Sequence, residues 1–182
     1  KHASAVTRGL ARLAQAENVL DSPGEQRIEV DAIAKEVSRQ LAEMAESRGV
    51  AVRITDGLPV MVVDAGKLEL VLINLVSNAI KYSDPNKIDR FVQIDAETEP
   101  ERVLLIVRDN GLGIPLEHRQ AIFQRSFRAH AEMDGELGND GFGMGLTIVQ
   151  ECLRELNGSI DVESTPGDGS RFTIRLPQRN SE

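Results

Sequence analysis

Three polar side chains interrupt the apolar stretch LELVLINLVSNAIKYS at residues 68–83: Asn74, Asn78 and Lys81. At 100° per residue they lie within about one sixth of a helical turn, so a narrow polar stripe runs along an apolar helix. Carboxamides and an ammonium suit a metal–phosphate ligand, because Mg²⁺ prefers hard oxygen donors, keeps waters and shares phosphate oxygens. A solvated helix face is the alternative; the apolar company of both asparagines favours the metal–phosphate reading.

Three further clusters have the residue types for nucleotide chemistry. DNGLGIP (109–115) follows a run of apolar residues, placing the Asp109 carboxylate at a strand end beside Gly111 and Gly113, where backbone can approach a flat ligand. Asp-Asn-Gly is also an ordinary turn sequence. IFQRSFR (122–128) sets Arg125 and Arg128 where guanidinium groups can reach phosphate oxygens, or simply point to solvent. GNDGFGMGLTIVQ (138–150) places Gly141, Gly143 and Gly145 just ahead of Leu146, Ile148, Val149, Cys152, Leu153 and Leu156, which share one helical face. A helix N-terminus offers free N–H groups to an anion, and glycines let the anion come close. The same residues also fit a plain glycine-rich turn. They do not fit the familiar phosphate loops. Position 146 is Leu where a dinucleotide fingerprint needs its third glycine, and the lone Gly66-Lys67 pair is followed by Leu68, not Ser or Thr.

The elements that must position these residues follow from periodicity and punctuation. Residues 3–20 read as a helix with Val6, Leu10, Leu13 and Leu20 on one face, broken by Asp21-Ser22-Pro23-Gly24. Arg27–Val30 reads as a short strand, and Asp31 as the cap of a helix running to about Arg48 and ended by Gly49. Val50–Ile54 and Val60–Val63 read as strands, and Asp64 as the cap of a helix over roughly 65–82 that stops before Asp84-Pro85. Phe91–Ala96 and Val103–Val107 show strand character, the second apolar enough to be central. A long polar, glycine-rich loop over 110–143 holds one short helix near 116–125; strands near 159–164 and 171–176 follow the last helix. The expected fold is a two-layer α/β sandwich, helices packed on one face of a mixed sheet.

The chain has 182 residues, 41% of them hydrophobic and 3% aromatic with no Trp, so aliphatic residues must fill one ordinary core. A net charge of −8, with a pI near 5.0, and no basic stripe set aside a nucleic-acid face. One cysteine excludes an internal disulfide, and its apolar helix position reads as packing. The best apolar run, Leu68–Val76, is short and holds Glu69 and Asn74, so direct membrane contact is not expected. Arg8 and Arg12 interrupt the apolar region that a signal peptide would need. The expectation is a soluble cytoplasmic domain, cut from something longer.

The order of these motifs resembles the ATP-binding catalytic domain of sensor histidine kinases, in the Bergerat-fold (GHKL) superfamily shared with gyrase, Hsp90 and MutL. NLVSNAIKYS resembles that family's N box, DNGLGI its G1 box, IFQRSFR its F box, GFGMGL its G2 box and GDGSRFTIRLP its final glycine motif. The likeness covers residues 26–177. It divides the chain into 1–25, the end of a dimerisation hairpin plus linker, and 26–182, the ATP-binding domain. It implies ATP and Mg²⁺ as ligands, with Asn78 on the metal and Asn74 beside it. Lys81 and Tyr82 would meet the phosphates or ribose, and Asp109 the adenine amine, with Gly111 and Gly113 letting the base lie close. Ile114, Phe142, Met144, Leu146 and Ser170 would complete the nucleotide site. Residues 114–140 would form a lid, with Gly141, Gly143 and Gly145 as its hinge, and Arg125 and Arg128 would act on the phosphates. Met144 stands where Leu is usual, Ser170 where Thr is usual, and Ser126 where a larger residue is usual.

Within that superfamily the hydrolytic members carry a Glu four residues before the metal-binding Asn. Here the position is Asn74, and a carboxamide is no general base near neutral pH. The resemblance therefore implies phosphoryl transfer to a histidine followed directly by an acidic residue. His2, His118 and His130 are followed by Ala, Arg and Ala, so the acceptor is expected on a separate part of the dimerisation hairpin. A homodimeric parent protein and a response-regulator receiver domain are the implied partners. A non-catalytic nucleotide-sensing module and a GHKL ATPase are the alternatives.

Overall fold

The computed structural model describes residues 24–124, 127, 129 and 144–178. A short strand β1 (Gln26–Glu29) leads into α1 (Val30–Gln40) and α2 (Ala42–Ser47), then β2 (Val50–Ile54) and β3 (Val60–Val63). The long α3 (Ala65–Lys81) follows, then β4 (Arg90–Glu99) and β5 (Arg102–Asp109). Two single 3₁₀ turns, Leu116–His118 and Ala121–Phe123, come next, and α4 (Gly145–Glu155), β6 (Ser159–Thr165) and β7 (Gly169–Pro177) complete the described chain.

Five strands form one sheet in the order β2-β4-β5-β7-β6, while β1 and β3 pair separately and antiparallel. Only β2 and β4 run parallel; the other neighbours are antiparallel, so the sheet is mixed. Alternation along the strands sends Val92 and Ile94, Val103, Leu105 and Val107, and Phe172, Ile174 and Leu176 to the helical layer, where all are buried. From α3 the core takes Leu68, Val71, Leu72, Leu75, Val76 and Ile80, and from α4 Val149, Cys152 and Leu153. At about 1.5–3 kcal/mol for each large aliphatic side chain buried, this packing outweighs intrinsic helix propensity in holding α3 in place. The mixed α/β sandwich read from the sequence is the observed architecture.

The local differences have identifiable causes. Asp31 does not cap α1: Glu29 takes the cap position without a side-chain bond, the Val30 N–H donates to the Pro59 carbonyl (3.0 Å), and Asp31 pairs with Lys35. The single helix expected over 31–48 is two, bent at Leu41, which stays buried through the bend. Gly49 ends it at φ +61° as expected, and Asp64 caps α3 by accepting from the Lys67 N–H at 3.1 Å. The short helix near 116–125 is only two 3₁₀ turns. β5 is central, yet among the described residues no helix covers its second face, where Ile106 is buried among Gln93, Asp95, Glu97, Arg108 and Arg171. The helix expected over 3–20 lies outside the described residues.

Candidate functional site

The C-terminal half of α3 is the floor of the site. Asn74 is only 5% exposed, and its Nδ2 donates to the Leu70 carbonyl at 2.8 Å, one turn back on the same helix. That leaves Oδ1 facing the first residue of α4. A Cβ on Gly145 would stand 3.0 Å from Asn74 Oδ1 and 3.7 Å from Asn78 Nδ2. Glycine therefore lets the N-terminus of α4 rest directly on the two asparagines, and the expected polar stripe meets the glycine-led helix there. Lys81 and Tyr82 close α3, with Tyr82 in the C-cap position and its N–H on the Asn78 carbonyl. Met144 occupies the N-cap position of α4, and Leu146 lies in its first turn, half-buried. Thr147 ties the same turn to the Phe123 carbonyl (3.3 Å).

The second wall is the loop after β5. Asp109 ends the strand, and its Oδ1 accepts from the Gly111 N–H at 2.8 Å. Burial raises its carboxyl to about 6, opposed by backbone N–H groups of Gly111 and Ser170 and by the charge of Lys87. The glycines here have a reason that the sequence reading did not include. A Cβ on Gly111 would come 2.3 Å from the Tyr82 carbonyl oxygen, and one on Gly113, at φ +72°, 2.0 Å from that of Thr165. Both positions are pressed against protein backbone. The Leu112 N–H donates to the same Tyr82 carbonyl (2.9 Å), so the loop is bound to the end of α3.

Ser164 joins this loop to the β6–β7 hairpin. Its hydroxyl donates to the Gly169 carbonyl (2.8 Å) and accepts from the Ile114 N–H (2.8 Å). With that hydrogen used, the Ser170 hydroxyl is the donor in the 2.9 Å contact between the two serines. Ser170 and Ile114 are thus tied together through Ser164, and the Ser170 N–H reaches the Asp109 carboxylate. Asn74, Asn78, Tyr82, Asp109, Gly111, Gly113, Gly145 and Ser170 are brought together. Arg125, Arg128, Gly141, Phe142 and Gly143 lie outside the described residues, as does most of the expected lid. Sequence reasoning passed over Ser164, Asn110 and Lys87. The last sits in Asp84-Pro85-Asn86-Lys87, which reads only as a helix stop. Among the described residues no group of three or more His, Cys, Asp or Glu is placed to hold a metal, and no helix is long and apolar enough to cross a membrane.

Residues 63–180 match the model of the family described as histidine kinase-, DNA gyrase B- and HSP90-like ATPase. The chain is 36% identical over 173 residues to the sensor-like histidine kinase SenX3 of Mycolicibacterium smegmatis, covering 93% of this chain and 42% of that protein. It spans less than half the length of the curated relatives it matches. In fold it is similar to full-length ShkA in complex with AMPPNP (TM-score 0.75, 21% identity, 93% of this chain and 35% of that one). It is also similar to the Acinetobacter baumannii histidine kinase AdeS (TM-score 0.72, 22% identity, 97% and 79%). With the 109–113 loop and the first residue of α4 both packed against one asparagine-bearing helix and the family model matched over most of its length, the chain belongs to the histidine kinase-, DNA gyrase B- and HSP90-like ATPases, as an ATP-binding catalytic domain related to those of sensor histidine kinases.

Proposed function

We propose that this domain binds Mg-ATP between α3, the 109–114 loop and the first turn of α4, and donates the γ-phosphoryl group to a histidine on a dimerisation hairpin. The observation that carries the reading is Asn74. It occupies the place of the water-activating Glu of the hydrolytic relatives, its Nδ2 is held by the Leu70 carbonyl, and its Oδ1 supports Gly145. A carboxamide has no useful basicity near neutral pH, so it takes no proton from water. The P–O bond to the leaving ADP breaks as a P–N bond forms to the acceptor imidazole, whose proton passes to the acidic residue that follows the acceptor histidine and on to water. Catalysis is then positioning and charge stabilisation.

The residues present fit a hard cation shared with phosphates: the Asn78 carboxamide oxygen would hold it. The cation, when bound, neutralises phosphate oxygens. Free N–H groups at the start of α4 face the same anion, and Lys81, Tyr82, Arg125 and Arg128 add donors to phosphate or ribose. Asp109 accepts from the adenine amine, and Ile114, Phe142, Met144 and Leu146 supply apolar contact. Gly141 and Gly143, with Gly145, are assigned the phosphate-side hinge of the lid. In the cell the domain works in the cytoplasm, as part of a homodimeric sensor kinase, soluble or membrane-anchored, that passes the phosphoryl group on to a response-regulator receiver domain.

The test is transfer from γ-labelled ATP to a purified acceptor hairpin, with free phosphate measured in parallel. Acid-labile label on the hairpin, little free phosphate and no label on the domain are expected. Label on the domain's own histidines, or phosphate release that outpaces transfer, would overturn the reading.

A further inference from the structure

The turn between α3 and β4 is built to deliver one side chain. Asp84 Oδ1 accepts from the Asn86 N–H (2.9 Å), and the Lys87 N–H donates to the Asp84 carbonyl (3.2 Å). Arg90 then braces the turn from beneath, donating to the carbonyls of Lys87 (2.9 Å), Pro85 (3.2 Å) and, across to α2, Arg48 (2.6 Å). Ile88, next in the chain, is fully exposed, so the turn is not held by burial at its tip. From this frame Lys87 extends its ammonium to two backbone carbonyls, Asn110 at 2.7 Å and Gly167 at 2.5 Å. Asn110 directly follows the base-reading Asp109, and Gly167 lies in the β6–β7 turn. The Gly167 N–H returns a bond to the Leu112 carbonyl (2.8 Å), which closes the ring of contacts.

We propose that Lys87 is a positioning residue of the base pocket: by clamping the Asn110 and Gly167 carbonyls it holds the Asp109–Gly113 loop against the β6–β7 turn and sets affinity for the adenine base, not the rate of phosphoryl transfer. This rests on the functional reading above. The Asn110 side chain holds the loop from the other side, with Oδ1 accepting from the Phe91 N–H (3.0 Å) and Nδ2 donating to the Asp89 carbonyl (2.7 Å). Lys87 is thus the charged contact to this loop, beside the neutral Asn110 side chain. Its charge also favours the ionised form of the buried Asp109 carboxyl, the form that accepts from an amine. An ammonium hydrogen-bonded to two carbonyls is a stronger tie than either neutral bond.

The experiment compares wild type, Lys87→Met and Lys87→Arg for binding of ATP, ADP and GTP, and for transfer to the acceptor hairpin. Lys87→Met is expected to weaken ATP and ADP equally, by about ten-fold, and to narrow the margin over GTP. It should raise KM for ATP by the same factor with kcat within two-fold. Lys87→Arg should recover part of the loss, because it restores the charge and a donor. Unchanged nucleotide affinity in a folded Lys87→Met, or a loss confined to kcat, would overturn the inference. If Lys87→Met does not fold, Lys87→Arg and Lys87→Gln replace it, and equal ATP affinity in those two would likewise overturn the inference. Wild type that binds no ATP would instead overturn the nucleotide reading itself.

Discussion

Glycines at the two ends of the proposed nucleotide site, one end taking the base and the other the phosphates, meet different surfaces. At the base end, Gly111, Gly113 and Gly169 are pressed on backbone: the Tyr82, Thr165 and Asp109 carbonyl oxygens lie 2.3, 2.0 and 2.1 Å from where a Cβ would sit. At the phosphate end, Gly145 meets side-chain amides, at 3.0 and 3.7 Å. The Tyr82 and Thr165 carbonyls are backbone atoms tied by the Leu112 and Asp168 N–H groups, whereas the Asn74 Oδ1 belongs to a side chain that can give by a few tenths of an ångström. The base end is therefore assembled by the fold itself, and the phosphate end is adjustable. A domain that grips one end of a ligand and must release the other end's product has a use for that division.

Alanine at one glycine of each end gives the sharpest test. Gly113→Ala places a methyl group on the Thr165 carbonyl at a φ of +72°. It should cost about 3 kcal/mol or more of folding stability, read by urea denaturation. Gly145→Ala should leave stability within about 1 kcal/mol, since a helical position favours Ala over Gly and Asn74 can yield. Its effect should fall on ATP binding, weakened about ten-fold. Equal stability losses at the two positions would end the distinction between a fixed and an adjustable end.

Asn78→Ala isolates the phosphate end further. Removing the carboxamide oxygen should weaken ATP binding at least ten-fold in the presence of Mg²⁺ and change little in EDTA, measured by fluorescence titration. Transfer to the hairpin should fall with it. Equal losses with and without the cation would assign Asn78 to direct phosphate contact instead of the metal.

Much of this was legible in the sequence because the signals were local. The polar stripe on α3, the Asp64 cap and the Gly49 stop are each written within a few residues, and the structure places them as read. Asp31 was misread as a cap because the true helix start is set by a long-range bond, from the Val30 N–H to Pro59. The bend at Leu41 interrupts no hydrophobic period, so periodicity alone joins α1 to α2. Lys87 and Ser164 carry no local mark. They matter because the sheet brings residues 87, 110, 164 and 167 together, and the glycine–backbone contacts at Gly113 and Gly169 have the same origin.

The smallest expected effects belong to Asp109, where base reading and folding respond oppositely to pH. Its folded-state value of about 6 lies above the ordinary 3.8. Between about pH 4 and 6 the folded protein therefore binds more protons than the unfolded chain, and stability declines as pH rises through that window, then levels off. ATP affinity should run the other way, rising through about pH 6 as the carboxylate becomes a pure acceptor for the adenine amine. Guanine presents a carbonyl oxygen there, so acceptor faces acceptor, and an unpaired contact of that kind costs about 1–3 kcal/mol. ATP should accordingly bind about ten-fold or more tightly than GTP at pH 7.5. Asp109→Asn should narrow that margin, because its amide can turn a donor to guanine, and should flatten both pH profiles between 4 and 6. Titrating variant and wild type side by side removes the ionisation of the phosphates, which is common to both. An unchanged affinity profile in Asp109→Asn, or equal ATP and GTP affinity in the wild type, would leave Asp109 a turn residue and move base reading elsewhere on the loop.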